Sequence, residues 1–459
     1  MGTRSFRFST ILFLIFAFLS PSSLFAGVIS PLPRFTDKDR VLIVAPHPDD
    51  ECIGTGGVIQ QALKAGAMVK VVIFTNGENN ELSFLVYKKR PVFQPRELLA
   101  MGEMRLRESI VAMSILGLKQ SDLVFLGYPD FGTMEIFTSF WGPVKKPFRS
   151  MLTRQRHVTF QNARTFGAPH VGESILNDFK GVIREFKPTR IFVTHPADTN
   201  RDHRAAYLFT KVALWALEGE IVAPTLYPFI VHVVRWPKPQ GYNPDRSLDV
   251  PPELVNSDIS WSVAPLLEEE TQLKYLSVRQ YISQVKYAPT YLVTFVRTNE
   301  LFGDYASIPI VNQPPGIPVW QNVRAVGNEL APKLSGKPDQ IFSLAYARQE
   351  GNFLVRIVLK RAIDKEIGVS LFLIGYRKDV PFAEMPKLNL LVGFDGVHIK
   401  DRRKNVFSKD ISFTSKGREL EFSLPLSLMG YPDRILSTAK TSLYDLALDE
   451  TAWRILLIK

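Results

Sequence analysis

A chain of 459 residues is too long for one ordinary hydrophobic core, which points to two domains. Hydrophobic residues at 46% and charged residues at 22% exclude a disordered chain, and no tandem repeat or low-complexity stretch is present. The single cysteine, Cys52, excludes an intramolecular disulfide scaffold, and the formal charge of +11 admits anionic partners.

The first residues read as a secretory signal. Arg4 and Arg7 precede an apolar core from Ile11 to Leu19, and Ser20 to Gly27 are rich in small residues. So short a core falls below the ~20 residues that cross a bilayer as a helix, so residues 1–26 are expected to be a signal peptide cut after Ala26. Cleavage removes Arg4, Arg7 and no acid, leaving +9, and places the protein in the periplasm or outside the cell. No later segment has an apolar stretch long enough to span a membrane.

Val41 to Ala45 is a short apolar run that reads as a buried strand, and it stops at His47, Asp49, Asp50 and Glu51. Such a cluster lies just past the carboxyl end of a strand, where open α/β sheets bind ligands. Imidazole and carboxylate suit a catalytic zinc or a similar divalent ion, and a second carboxylate beside them suits a base. Gly54-Thr-Gly56-Gly57 follows, but a dinucleotide loop would need its third glycine where Ile59 stands, so these glycines are read as permitting close packing of a helix to about Ala65. The strand Val69–Phe74 ends in Thr75-Asn76-Gly77-Glu78, a loop at the pocket edge or a plain turn. Arg105, Arg107 and Glu108 fall on a helix to about Leu116, where a solvated face competes with contact to substrate hydroxyls. Asp130 ends the next strand, Val124–Leu126, on the site edge.

Residues 134–172 read as an insertion or lid carrying Phe137, Phe140, Trp141 and Phe148, with a basic block at Lys145-Lys-Pro-Phe-Arg149 and Arg154-Gln-Arg156. That mixture suits an anionic glycan, a lipid phosphate surface or single-stranded nucleic acid, and export argues against nucleic acid. A second cluster repeats the first layout: the strand Arg190–Thr194, then His195, Asp198, Asn200, Asp202 and His203, then a helix from Ala205 to Leu217. Parallel strands release both loops on one edge, so His203 can meet His47 and Asp50, leaving a fourth zinc position open. Iron(II) fits the same set. His232, in the apolar run Phe229–Val234 read as a strand, is by default a hydrogen-bonded core histidine, with a place in the substrate cleft as the alternative.

Pro46 through Glu51 and the Asp202-His203 pair resemble the two signatures of the LmbE/PIG-L family of zinc-dependent N-acetylglucosaminyl deacetylases. Weaker echoes are Thr75–Glu78, Arg105–Glu108, Gly127–Asp130, Lys274 and Ser283-Gln284, so the resemblance covers roughly residues 38–300. It implies His47, Asp50 and His203 as metal ligands, Asp49 as the base, and Glu51 and Asp202 as residues that orient the ligands behind them. It further implies Asn76, Glu78, Arg107, Glu108 and Asp130 as substrate contacts, and an N-acetylated glycan or glycolipid as substrate. The family usually has a histidine three residues before the last ligand, where this chain has Asn200. Asparagine donates a hydrogen bond but delivers no proton at neutral pH, so Asp49 shuttles the proton both ways, His195 reaches in, or catalysis is weak.

A boundary is expected near Pro314–Pro318 and Lys333–Gly336, where prolines and glycines cluster. Before it, over residues 36–315, strands alternate with helices, giving a Rossmann-like, doubly wound, mostly parallel α/β sheet. After it, over 335–459, short strands predominate and point to a β-sandwich, which fold analogy suggests is a carbohydrate-binding module. Phe372, Tyr376 and Phe382 are its candidate sugar platform, although their alternation favours core packing.

Overall fold

The computed structural model describes residues 29–79, 94–142, 146–321, 323–328, 341–362, 366–393, 396–444 and 446–458. The expected signal peptide, Lys145 and Lys333–Gly336 lie outside them.

In chain order the N-terminal α/β domain comprises β1 (Ile29–Pro31), β2 (Arg40–Ala45), α1 (Asp50–Lys64), β3 (Met68–Thr75), α2 (Pro95–Ile115), β4 (Leu123–Tyr128), α3 (Thr133–Ser139), α4 (Gly172–Phe186), β5 (Arg190–Thr194), α5 (Arg201–Ala216), β6 (Thr225–Phe229), β7 (Ile259–Pro265), α6 (Glu268–Val278), α7 (Ile282–Tyr287) and β8 (Asn299–Tyr305). The main sheet has the order β4-β3-β2-β5-β6 and is parallel at every pairing. The chain runs outward from β2 through β3 to β4, then returns to β5 on the other side of β2. A crevice opens at that reversal, above the carboxyl ends of β2 and β5, where both His/Asp loops begin.

β2 reads as uninterrupted apolar sequence because both its faces are covered. Val41, Ile43 and Ala45 face one core cluster, Leu42 and Val44 the other, and all five are fully buried. At the start of α1 the backbone comes close to its neighbours. A Cβ on Gly54 would sit 2.3 Å from the Phe229 ring, and one on Gly57 would sit 2.1 Å from a Leu266 methyl. The glycines serve helix packing, as their sequence context suggests.

The expected strand over Phe229–Val234 is a correction. β6 stops at Phe229, opposite Thr194, the end of β5. Beyond it the amides of Val231 and His232 donate to the Asp198 carboxylate instead of continuing a ladder.

The C-terminal part is nearly all strand: β9 (Ile308–Ile310), β10 (Val326–Gly327), β11 (Ile341–Gln349), β12 (Asn352–Leu359), β13 (Ile367–Tyr376), β14 (Lys387–Gly393), β15 (Gly396–Asp401), β16 (Lys404–Val406), β17 (Ser412–Lys416), β18 (Glu419–Pro425), β19 (Arg434–Leu443), β20 (Leu446–Glu450) and β21 (Arg454–Ile458). One sheet runs β10-β11-β12-β18-β17, and the other runs β16-β15-β14-β13-β19-β21-β9 with β20 beside β19. Their inner faces enclose one apolar cluster, with Val355 and Phe422 from the first sheet against Leu371, Leu388 and Ile435 from the second. That is a sandwich.

The sandwich sits directly against the α/β domain. Trp141 meets Phe382 edge to face at 4.8 Å, Trp215 lies 5.1 Å from Tyr376, and Arg434 pairs with Glu218 at 2.7 Å. Tyr376 and Phe382 are therefore interface packing rather than a sugar platform, and Phe372 is half-buried beside Trp453. Among the described residues no helix is long and apolar enough to cross a membrane.

Candidate metal centre and its pocket

The loops after β2 and β5 bring His47, Asp50 and His203 together, with one potential ligand atom of each within 4.8 Å of the others. His47 Nδ1 lies 3.1 Å and His203 Nε2 3.2 Å from the same oxygen, Asp50 Oδ2. His203 Nε2 is buried and close to that oxygen but not aligned to hydrogen-bond with it. Two imidazoles converging on one carboxylate, beside an open cavity, fit a divalent ion of the zinc type.

Neighbouring carboxylates also come within ligand range, in the groups Asp198–His203–His232 and His47–Asp130–Asp202. Their hydrogen bonds give them a supporting part. Asp198 accepts from His203 Nδ1 at 3.1 Å and from the amides of Val231 and His232 at 3.0 and 2.9 Å. Asp202 accepts from the amides of Phe131 and Thr133, and Asp130 from the amide of Asn79 at 2.9 Å. Such partners fix a ligating imidazole's orientation and tautomer.

Burial alone would strip the proton from His203, but Asp198 and Asp50 outweigh it and hold the imidazole up to about 9. Burial would likewise neutralise Asp50, and His203 and His47 reverse this, holding it well below the usual carboxylate range. Asp198, against the same burial, is held down to about 2 by His203 and His232. The unliganded cluster thus stores protons that a cation would displace.

Asp49 stands between this cluster and the cavity in an unusual backbone state, with φ at +125°. A non-glycine residue there is strained, and such strain persists only where surroundings enforce it. Arg105 is one enforcer: it donates to the Pro48 and Gly77 carbonyls at 2.7 Å and to Asp49 Oδ2 at 3.2 Å. Glu51 is the other, accepting from the Asp49 amide at 2.9 Å and from Tyr281 and Ser109 behind it. Gly77 is required here, since its φ is +65° and a Cβ would lie 2.0 Å from Arg105 Nη1. Burial pushes the Asp49 carboxyl up to about 8; Arg105 opposes this, and Asp50 and Glu51 reinforce it.

A cavity of about 960 Å³ opens above these residues, lined by His47, Asp49, Asp50, Arg105, Asp130 and Asn200, with His232, Gln284 and Tyr291 opposite. Asn200 is the N-cap of α5: its Oδ1 accepts from the Asp202 amide at 2.8 Å. Of the expected substrate contacts, Asp130 lines the cavity. Asn76, Glu78 and Glu108 are buried outside it, with Glu78 accepting from the Asp130 amide and Glu108 from Ser283. Arg107 is exposed and also outside the cavity wall. His195 is a correction too: it is fully buried, stacked on Trp261 at 6.0 Å, accepts the Ala197 amide, and does not reach the cavity. Within the expected insertion, Phe137, Phe140 and Trp141 are core residues, while Phe148, Arg149 and Met151 form the cavity rim.

His232 and Tyr291 line the pocket, so His232 takes the cleft position rather than the core position that its apolar sequence context favours. Their rings stack at 5.8 Å and 6°, with Tyr291 Oη 2.8 Å from His232 Nδ1. Burial drives the phenol well above its ordinary pKa and the imidazole down to about 4. With the phenol protonated, Tyr291 Oη can donate to His232 Nδ1, which would leave the neutral imidazole's proton on Nε2. Apart from a run of breakers after Trp236, no sequence signal marks this loop.

Residues 42–214 match the profile of the family described as PIG-L, GlcNAc-PI de-N-acetylase. The 1D-myo-inositol 2-acetamido-2-deoxy-alpha-D-glucopyranoside deacetylase of Mycobacterium sp. (strain KMS) is 38% identical over 103 residues, 22% of this chain and 32% of that protein. The enzyme of the same name from Corynebacterium glutamicum (strain R) is 27% identical over 188 residues, 39% of this chain and 56% of that protein. The chain spans about a third or less of the first relatives it matches. Among solved structures, N,N'-diacetylchitobiose deacetylase from Pyrococcus horikoshii aligns with a TM-score of 0.35 at 17% identity, covering 58% of this chain and 83% of that one. The profile match and the two His/Asp loops agree, and the chain carries a PIG-L (LmbE) family domain over residues 42–214.

Proposed function

We propose that this protein is an exported, metal-dependent amidase that removes acetyl groups from N-acetylated amino sugars of a glycan or glycolipid. The observation that carries it is Asp49: a strained, clamped carboxylate set between the His47–Asp50–His203 cluster and an open cavity. The names of the relatives support the substrate class, and the signal-like N-terminus supports export.

His47, Asp50 and His203 would hold zinc, or another divalent ion such as iron(II), which when bound polarises an acetamide carbonyl and acidifies water. Asp49 takes the proton of the attacking water, and Arg105 keeps it aimed while limiting its basicity. The neutral His232 Nε2–H and the Asn200 amide nitrogen donate hydrogen bonds to the oxygen that gains charge. As the C–N bond breaks, Asp49 returns its proton to the leaving amine, since neither Asn200 nor the buried His195 can supply one. Acetate and a free amino sugar result.

Asn200 favours a second reading, a catalytically silent glycan-binding protein. Acetate release from a panel of N-acetylated glycans, with zinc, with chelator and with Asp49→Ala, separates them. Release that needs metal and Asp49 supports the amidase. Glycan retention without release under every condition supports the silent binder. Release of another acyl group alone redirects the proposal to a different amide or ester.

A further inference from the structure

The loop from His195 to His203 takes part of its support from the far end of the chain. Arg204, next to the candidate ligand His203, is 1% exposed. Its Nε donates to the Asp198 carbonyl, while Nη1 lies 3.0 Å from Glu450 Oε1 and donates to the Thr451 carbonyl at 3.3 Å. Asp198 is also the residue whose carboxylate receives His203 Nδ1. The sandwich side of this contact is itself fixed. Thr451 donates its amide to the Ala439 carbonyl at 2.9 Å, and its Oγ1 accepts from the Ala439 amide at 3.0 Å. Thr438 Oγ1 donates to the Thr451 carbonyl at 2.8 Å. Two residues on, the Trp453 amide donates to the Pro196 carbonyl at 3.3 Å. A guanidinium this deeply buried is stable only with its partners in place.

We propose that the C-terminal sandwich is a brace for the metal centre, and that Arg204 is the positioning residue through which residues 450–453 hold Asp198 and hence the His203 ring. The proposal rests on reading His47, Asp50 and His203 as the metal set, and not on the identity of the substrate. It gives the second domain a part in the site that requires no glycan binding. Residues that orient a ligating histidine typically change metal affinity by about 10–100-fold when altered.

The test uses the full chain with Co²⁺ as probe, read by chelator competition and by the cobalt d–d absorption spectrum. Glu450→Gln and Arg204→Lys are compared with wild type and with Glu269→Gln, which alters an exposed ion pair to Lys64. Circular dichroism of the metal-free proteins checks folding. The Glu450 side chain is 16% exposed at the rim of the contact, so its variant keeps the question decidable even where Arg204→Lys does not fold. The expected result is Co²⁺ affinity lowered about tenfold or more in Glu450→Gln and Arg204→Lys, with shifted d–d bands, and no change in Glu269→Gln. Wild-type affinity and spectrum in folded Glu450→Gln overturn the brace. Absence of Co²⁺ binding by wild type overturns the metal set itself, which is a separate outcome.

Discussion

The two loops that build the candidate centre are alike in layout and unlike in support. The loop after β2 is secured from inside its own domain, by Arg105 on α2 and by Glu51 with its Ser109 and Tyr281 partners. The loop after β5 is secured by Asp198, which gathers four N–H donors, and by Arg204, which reaches into the sandwich. The first arrangement holds a base in a strained backbone state, and the second holds an imidazole ring at a fixed angle. Damage to the first should slow chemistry, and damage to the second should release metal.

The largest expected effect tests the first half of that contrast. Asp49→Asn should lower kcat by about 10²–10⁴-fold with metal content unchanged; an unimpaired kcat would remove Asp49 as the base. Next comes pH. His203 is held up at about 9 in the metal-free protein, so a cation must displace a proton below that value. Against its burial, Asp130 and Asp202 also hold His47 well above its ordinary value. Affinity measured by chelator competition should therefore fall by at least about tenfold per unit, and up to about a hundredfold where both rings must lose a proton, as pH drops from 9 toward 7. A flat profile would show that both rings are already neutral. Asp198→Ala should weaken metal binding by about 10–100-fold and, where metal is saturating, leave kcat much closer to wild type than Asp49→Asn does. Equal kcat losses in the two variants would erase the distinction between the loops. The smallest effect is expected from Asn200→His, a rise in kcat of a few fold at most, because in the proposed mechanism Asp49 itself returns the proton. A much larger gain would show that proton delivery limits the native protein.

Both His/Asp loops and the strands that aim them were legible because apolar runs end abruptly in polar residues. The pocket's opposite wall was not. His232 sits in an apolar stretch that leaves the strand only because Asp198, more than thirty residues earlier, takes its amides. Arg105 and Arg107 looked equivalent, yet two residues on a helix lie about 200° apart, so one clamps Asp49 while the other faces solvent. In the sandwich, β19 is hard to read from sequence because its interior carries buried Ser437 and Thr438, which look like loop residues until Tyr346 and Thr451 supply their partners. The insertion's aromatics were legible as a group but not as core, since that depends on Phe382, far along the chain, packing against Trp141.

The contact between Arg204 and Thr451 joins residues 247 positions apart. At about 5–20 residues per second of synthesis, the histidine loop waits roughly 10–50 s for its second support to emerge. In the later part of that interval, once β8 is made, the α/β domain has all its strands but Arg204 still lacks Glu450. On the brace proposed above, the metal site is complete only once residues 450–453 have docked, so metal retention should report on the folding of the sandwich.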